Sequence, residues 1–236
     1  MHFYRRLFDV KAMTFDLDDT LYDNRPVMHR LEQEMVSWLY QNHPISASRP
    51  IEWWQEIKHK LADQEPLLEH DVTLWLFRQI ERGLQQLGYE MKKATKVAES
   101  AIEKVSQLRN QFEVPRETHR VMTLLAKKIP LVAITNGNVD VEKIGLAPYF
   151  QLVLKAGPDG LAKPYADMFD KARKFLRLDA KQILHIGDHL ITDIVGAKQN
   201  GFQACWYNDK DRSVKQAKLL PDIEISELKS LLLLNL

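Results

Sequence analysis

Acidic residues are crowded at the end of one apolar stretch near the N-terminus. In the segment MTFDLDDTLYD (13–23), Asp16, Asp18 and Asp19 directly follow an apolar run that predicts a buried strand over residues 10–15. Neighbouring carboxylates raise each other's pKa, so such a cluster is unfavourable unless a cation compensates it. Magnesium prefers carboxylate and carbonyl oxygens and commonly bridges to a phosphate. The cluster therefore predicts a Mg²⁺ site that also handles an anion.

Polar residues follow other apolar runs in the same way. PLVAIT (130–135) is followed by Asn136, QILHIG (182–187) by Asp188 and then Asp193, and LAKP places Lys163 between these two runs. In an open parallel sheet, ligands bind beyond the carboxyl ends of the strands, where the strand order reverses. We therefore expect one crevice to collect Asp16, Asp18, Thr135, Lys163 and Asp188. Taken alone, Thr135 could simply end a strand, and Lys163 could be a surface lysine.

The elements that must position these residues are of two kinds. Short apolar runs at 10–15, 130–135, 150–156, 182–187 and 202–207 predict strands, and PRETHRVMTLLAKK, YADMFDKARKFLRL and ITDIVGAKQN predict helices between the later ones. This alternation indicates an α/β fold with a parallel sheet. Its first strand is separated from the others by a long helical stretch.

The long helical stretch, from about residue 25 to 112, has the pattern of a small helical bundle. Apolar residues recur at spacings of three and four over four segments, with breaks at Pro44, Pro66 and Gly88. Four helices joined by short connections are typical of a bundle. We therefore predict a discontinuous α/β core domain, residues 1–21 and 113–236, with an inserted all-helical domain at 22–112.

Composition excludes several function classes. Hydrophobic residues make up 45% and charged residues 28%, while 33 basic and 32 acidic residues leave a net charge of +1. This balance predicts a globular enzyme with no nucleic-acid or membrane partner. One cysteine, Cys205, allows no internal disulfide, and the N-terminal segment has no apolar signal region. We expect a cytoplasmic protein, a monomer or weak homodimer.

The four motifs together resemble a known family. FDLDDTLYD, ITNGN, AKP and GDHLITDIVGA, in that order, resemble the four motifs of the haloacid dehalogenase-like (HAD) superfamily. The helical insertion after the first motif is similar to that superfamily's C1 cap. The resemblance implies a Rossmann-like core with a four-helix cap, and it covers the whole chain.

The resemblance also implies a role for each motif residue. Asp16 would be the nucleophile that forms an aspartyl-phosphate, and Asp18 would protonate the leaving group and later activate water. The implied Mg²⁺ ligands are Asp16, the backbone carbonyl of Asp18, and Asp188. The implied phosphate ligands are Thr135, Lys163 and Asn136, besides Asp16 and Asp18. Asp193 would lie near the metal waters or hold Lys163, although charge compensation at a helix N-terminus explains it equally well.

The implied activity is magnesium-dependent hydrolysis of small phosphate monoesters. Alternatives are phosphomutase-type transfer on a sugar phosphate and a non-catalytic phosphate-binding module. The presence of Asp18 and Asp188 argues against a dehalogenase, which releases halide and needs neither a leaving-group acid nor a phosphate cation.

The substrate prediction depends on further segments. FYRRL, FDLDDTLYDNRPV, PLVAITNGN and GFQACW resemble bacterial HAD phosphatases of riboflavin biosynthesis, which implies 5-amino-6-(5-phospho-D-ribitylamino)uracil and FMN as substrates. The cap would then select the substrate, with His70, Trp75 and Arg78 as candidate contacts to its ring. Trp75 at helical spacing also fits the core of the bundle.

Overall fold

The computed structural model describes residues 1–236, for Gln216 only its backbone. The chain divides into two compact units. The first comprises residues 1–23, 113–137 and 141–236, and the second comprises residues 24–112 together with 138–140. The domain limits predicted from the sequence differ from these by two residues after the first strand and by the short segment 138–140.

The first unit is built on one seven-stranded sheet, ordered β1-β7-β6-β5-β2-β3-β4. Neighbouring strands pair in parallel, except β1 and β7, which are antiparallel. The α/β fold with a mostly parallel sheet is therefore confirmed. The strands are β1 His2–Phe3, β2 Ala12–Phe15, β3 Leu131–Thr135, β4 Leu152–Lys155, β5 Ile183–Gly187, β6 Gln203–Tyr207 and β7 Ile223–Ile225.

The two strands at one edge are not predicted by the sequence. β1 has two residues and β7 has three. Strands this short cannot show the alternation of apolar and polar residues by which a strand is predicted. Their pairing, with His2 opposite Glu224, is what departs from the all-parallel sheet that we expect from the sequence.

The strand order reverses beside β2. From β2 the chain adds β3 and β4 on one side, and it then returns to place β5 and β6 on the other side. The carboxyl ends of β2, β3 and β5 therefore lie together at the switch point of the sheet, where ligands bind in such folds. These are the strand ends that carry Asp16, Thr135 and Asp188.

Both faces of the sheet are buried. One face packs against α6 (Ala166–Leu176) through Met168, Phe169 and Ala172. The residues that point to the opposite face, such as Met13 and Phe15, are also fully buried. The other helices of this unit are α5 Arg116–Ala126 and α7 Gly196–Gln199, with 3₁₀ segments Ala147–Tyr149, Ala180–Gln182, Val214–Gln216 and Leu228–Leu233.

The segment after β5 differs from the single helix predicted there. Residues Leu190–Val195 form a π-helical turn before the short α7. The backbone N–H groups of Asp193 and Ile194 both donate to the carbonyl of His189, at 3.0 and 3.3 Å. Such wide turns are frequent at functional sites, and this one carries Asp193.

The second unit is helical, as predicted. Its helices are α1 Arg25–Asn42, α2 Ile51–Gln64, α3 Val72–Gln86 and α4 Met91–Arg109, with 3₁₀ segments Pro44–Ser48 and Pro66–His70. Asp71 caps α3 by accepting the N–H groups of Thr73 and Leu74. Residues 138–140 join this unit through side chains: the amide of Asn138 donates to Thr73 Oγ1 at 3.2 Å.

Two of the candidate substrate contacts of the helical unit, Trp75 and Arg78, are engaged within the unit itself. Trp75 packs beside Ile57, Leu61 and Leu68, and its Nε1–H donates to the carbonyl of Lys58 at 2.9 Å. Arg78 pairs with Glu81 on its own helix. For Trp75 the bundle interpretation is therefore correct. None of the helices in the described part of the chain is long and apolar enough to cross a membrane.

Candidate active site

Three carboxylates meet at the switch point of the sheet. One oxygen from each of Asp16, Asp188 and Asp193 lies within 4.8 Å of the other two. Asp16 directly follows β2, Asp188 follows β5, and Asp193 lies on the π-helical turn. A set of carboxylate oxygens this close is the donor chemistry that a hard divalent cation such as Mg²⁺ requires.

Lys163 lies between two of these carboxylates. Its Nζ donates to Asp16 Oδ1 and to Asp193 Oδ1, both at 2.7 Å, and its side chain is 1% exposed. Burial alone would lower the pKa of Lys163, but the two carboxylates raise it above its usual value, so the amine stays charged. Burial, helped by the charges of Asp193 and Asp18, raises the pKa of Asp16 well above its ordinary range despite Lys163.

Both carboxylate oxygens of Asp193 accept hydrogen bonds. Its Oδ1 also contacts His185 Nε2 at 3.2 Å, and its Oδ2 accepts the backbone N–H of His189 at 2.9 Å. Burial would raise the pKa of Asp193, but Lys163 and His185 hold it far below its usual range. Asp193 is therefore an ionised, fully engaged carboxylate whose position fixes Lys163.

His185 links this network to β2. It is fully buried on β5, and Nδ1 contacts the hydroxyl of Thr14 on β2 at 2.8 Å. Burial lowers its pKa, so the ring is neutral. Because Asp193 is ionised, we assign the proton to Nε2, and Nδ1 then accepts from Thr14.

Asp188 is oriented by β6 and by the chain that follows it. Trp206 Nε1 and Arg212 Nη2 both donate to its backbone carbonyl, at 2.9 and 2.7 Å, and Arg212 also reaches Oδ2 at 3.3 Å. Burial, followed by the charge of Asp193, raises the pKa of Asp188 to about 6 even though Arg212 opposes this. A metal ion would therefore have to displace a proton from Asp188 in mildly acidic solution.

Asp18 lies at the turn that follows β2. Asp19 turns the chain with φ of 57°, in the left-handed region, and Tyr22 donates its phenol hydroxyl to Asp18 Oδ1 at 2.6 Å. The other oxygen faces Gly137: a methyl group added at Gly137 would lie 2.3 Å from Asp18 Oδ2. The first motif and the segment after β3 are therefore in close contact.

Residues after β3 and before α6 are joined to each other. The hydroxyl oxygen of Thr135 accepts the N–H of Gly137 at 2.9 Å. The side-chain amide of Asn136 donates to the carbonyl of Lys163 at 3.0 Å and accepts its N–H at 2.7 Å. The Asn136 side chain thus positions Lys163, so the part of Asn136 that remains a predicted phosphate ligand is its backbone N–H.

Of the residues predicted from the sequence, Asp16 and Asp193 both contact Lys163, and Asp188 brings a carboxylate oxygen within 4.8 Å of oxygens of Asp16 and Asp193. Asp18 and Thr135 both lie against Gly137. Three residues at the site were missed. Tyr22 could have been noticed from its position four residues after Asp18, whereas His185 lies inside the predicted strand 182–187 and carries no local signal of a partner in the site. No sequence signal indicated Arg212, which lies 24 residues after Asp188.

Comparisons with known proteins agree with this geometry. The family model for haloacid dehalogenase-like hydrolases matches residues 10–201. The chain is 44% identical, over 98% of both chains, to the 5-amino-6-(5-phospho-D-ribitylamino)uracil phosphatase YigB of Escherichia coli. It is 26% identical to a glyceraldehyde 3-phosphate phosphatase of Pyrococcus abyssi, over 84% of this chain and 81% of that one. Among solved structures, a 2-haloacid dehalogenase from Pseudomonas syringae matches with a TM-score of 0.90 and 36% identity, over 94% of this chain and 96% of that one.

Proposed function

This chain belongs to the haloacid dehalogenase-like hydrolases and is a phosphatase of that family, and we propose that it hydrolyses small phosphate monoesters through an aspartyl-phosphate on Asp16. The observation that supports this is the convergence of Asp16, Lys163 and Asp188 at the switch point, with Asp18 two residues from the nucleophile. A carboxylate nucleophile divides one difficult displacement into two easier ones.

Each residue of the site has a separate role in the proposed reaction. Lys163 occupies Oδ1 of Asp16, so Oδ2 is the oxygen that attacks phosphorus. Thr135, the backbone N–H of Asn136 and the Lys163 ammonium bind the phosphate oxygens, and Asp18 protonates the leaving oxygen. Asp193 keeps Lys163 in place, which requires a carboxylate with a very low pKa.

The acidic group fits magnesium. The ion would be held by Asp16, Asp188 and the backbone carbonyl of Asp18. Asp193 is not included, because both of its oxygens already accept hydrogen bonds, from Lys163, His185 and His189. When bound, magnesium neutralises the charge of the transferring phosphoryl group. The chain's own contribution is to collect the carboxylates and to exclude water from them.

We propose that the substrate carries a phosphorylated ribityl chain on a nitrogen ring. The support is the high identity to a phosphatase named for 5-amino-6-(5-phospho-D-ribitylamino)uracil, over nearly the full length of both chains. FMN carries the same phosphoribityl group and is a second candidate. The proposal places the enzyme in the cytoplasm, in agreement with its buried free thiol, Cys205.

The test is release of inorganic phosphate from a panel of phosphate esters, including both flavin-pathway compounds, with Mg²⁺ and with excess EDTA. We expect turnover with Mg²⁺, none with EDTA, and none for Asp16→Asn. The matched control Asp170→Asn removes a half-exposed carboxylate that pairs with Arg173 and should leave turnover unchanged. Phosphate release that is indifferent to EDTA contradicts the metal assignment.

The similarity to a protein named as a 2-haloacid dehalogenase makes dehalogenation the second candidate. Chloride release from 2-chloropropionate, without phosphate release from any ester, would favour it. Phosphate transfer between two positions of a sugar phosphate, without net release, would indicate a mutase. Binding of phosphate esters without any turnover would indicate a non-catalytic module.

A further inference from the structure

We propose that Tyr22 is a positioning residue for phosphoryl transfer. Its hydroxyl fixes the Asp18 carboxylate so that Oδ2, and not Oδ1, delivers the proton to the leaving group. This inference rests on the proposed function, in which Asp18 is the general acid.

The turn after β2 holds Tyr22 in place. The carbonyl of Leu17 accepts the N–H groups of both Thr20 and Leu21, and the carbonyl of Leu21 accepts the hydroxyl of the buried Thr118 on α5 at 2.9 Å. The ring of Tyr22 is itself buried, with 5% of the residue exposed. The phenol therefore approaches Asp18 from a fixed direction.

The hydrogen bond assigns different roles to the two oxygens of Asp18. At 2.6 Å, the Tyr22 hydroxyl donates to Oδ1, so a proton carried by Asp18 resides on Oδ2. Oδ2 is the oxygen that lies against Gly137, whose N–H is bonded to Thr135. The acidic proton is thereby placed beside the predicted phosphate ligands.

The reaction step that Tyr22 serves is balanced without another reagent. Asp16 forms a bond to phosphorus while the ester P–O bond breaks. The electron pair of that bond stays on the leaving oxygen, which takes the proton from Asp18 Oδ2. Asp18 is then a carboxylate whose Oδ1 still accepts the Tyr22 hydroxyl, and it is ready to remove a proton from water.

The competing explanation is that Tyr22 only packs and that its hydroxyl merely finds an acceptor. Tyr22→Phe separates the two explanations because it removes one oxygen and keeps the buried ring. A matched control is Tyr4→Phe. Tyr4 directly follows β1 and donates to Glu224 on β7 at the same distance of 2.6 Å, and neither strand neighbours β2.

The experiment compares kcat/KM for benzyl phosphate and p-nitrophenyl phosphate in wild type, Tyr22→Phe and Tyr4→Phe, with melting temperatures. kcat/KM covers only the steps up to departure of the leaving group, and the alkoxide needs a proton whereas p-nitrophenolate hardly does. We expect Tyr22→Phe to lower kcat/KM for benzyl phosphate on the order of tenfold, which is the size expected for loss of one hydrogen bond to a charged group. For p-nitrophenyl phosphate we expect kcat/KM to fall less than about threefold.

Tyr4→Phe should match wild type for both substrates. If kcat/KM of Tyr22→Phe equals that of wild type, or falls equally for both substrates, the proposed role of Tyr22 is wrong. In either case, turnover by the wild type leaves the proposed function standing. A wild-type protein that hydrolyses neither ester, nor any other in the panel, overturns the proposed function and this inference with it.

Discussion

Replacing Asp193 by Asn tests whether a buried ionic network supports Lys163, the proposed phosphate ligand. The substitution preserves the shape of the side chain and one acceptor oxygen, but it removes the negative charge. Lys163, whose side chain is 1% exposed, is then left with Asp16 as the single carboxylate partner in its described contacts. The positive charge of the Lys163 ammonium is then compensated by one carboxylate instead of two, and burial prevents its solvation by water.

The size of the effect follows from burial. Breaking a buried pair by removing one partner costs about 3–5 kcal/mol, and the retained oxygen of Asn puts the expected loss near the lower end, about 3 kcal/mol. For a chain of this length that corresponds to a fall in Tm of roughly 6–12 °C. Asp170→Asn breaks a pair whose side chains are 42% and 50% exposed, so it should cost less than about 0.5 kcal/mol.

The assay is urea denaturation in EDTA, from which the free energy of unfolding is extrapolated to water for each variant. Because the pKa of Asp193 is held far below that of the unfolded chain, its stabilisation is fully present above about pH 4. The contribution of the Asp193 charge itself should therefore be constant between pH 7 and 8, above the pKa of about 6 that Asp188 has partly because of Asp193. Lys163→Met and the double variant complete a thermodynamic cycle, with an expected coupling of about 2 kcal/mol.

Two results would refute this reasoning. One is a loss of stability for Asp193→Asn no larger than that for Asp170→Asn. The other is a coupling energy near zero between the variants at Asp193 and Lys163. Either result would mean that the short contacts of Lys163 do not exist as a folded, charged network in solution.

Three further changes have expected outcomes. Gly137→Ala places a methyl group 2.3 Å from Asp18 Oδ2, so the carboxylate must shift and kcat/KM should fall on the order of 10²-fold. The control is Gly88→Ala, where the added methyl group meets no atom within 4 Å but the backbone φ is +95°. This control should change stability and leave kcat/KM as in wild type. Because Asp188 has a pKa of about 6 and must lose its proton to bind a cation, calorimetric Mg²⁺ affinity should fall about tenfold from pH 7 to pH 5, and a constant affinity contradicts this. Trp75→Phe removes the bond to the Lys58 carbonyl and should cost about 1 kcal/mol of stability with no change in KM for FMN; a selective rise in KM would restore Trp75 as a substrate contact.

Residues that follow a strand could be predicted because their chemistry and their position agree. Asp16, Thr135 and Asp188 each come at the end of an apolar run, and parallel strands bring such ends to one edge of a sheet. The four helices of the second unit were predictable because each carries its own period of three and four. In these cases the local pattern contains the information that the fold uses.

The supporting residues could not be predicted because their roles depend on contacts between distant parts of the chain. His185 is joined to Thr14 across 171 residues, and Arg212 reaches Asp188 from the chain beyond β6. Asn136 was predicted as a phosphate ligand, but the partner that fixes its side chain is the backbone of Lys163. Sequence spacing gives no measure of these distances.

The position of β2 in the sheet has a consequence for synthesis on the ribosome. The strand leaves the ribosome before either neighbour, yet Met13 pairs with Leu131 and Thr14 pairs with His185. This buried and mostly apolar strand must therefore wait, unpaired, while more than a hundred residues are made. Charged residues that flank such a strand oppose aggregation, and Asp16, Asp18 and Asp19 stand directly after it. We therefore expect that neutralising Asp16, Asp18 and Asp19 lowers the yield of soluble protein even where the folded state tolerates the change.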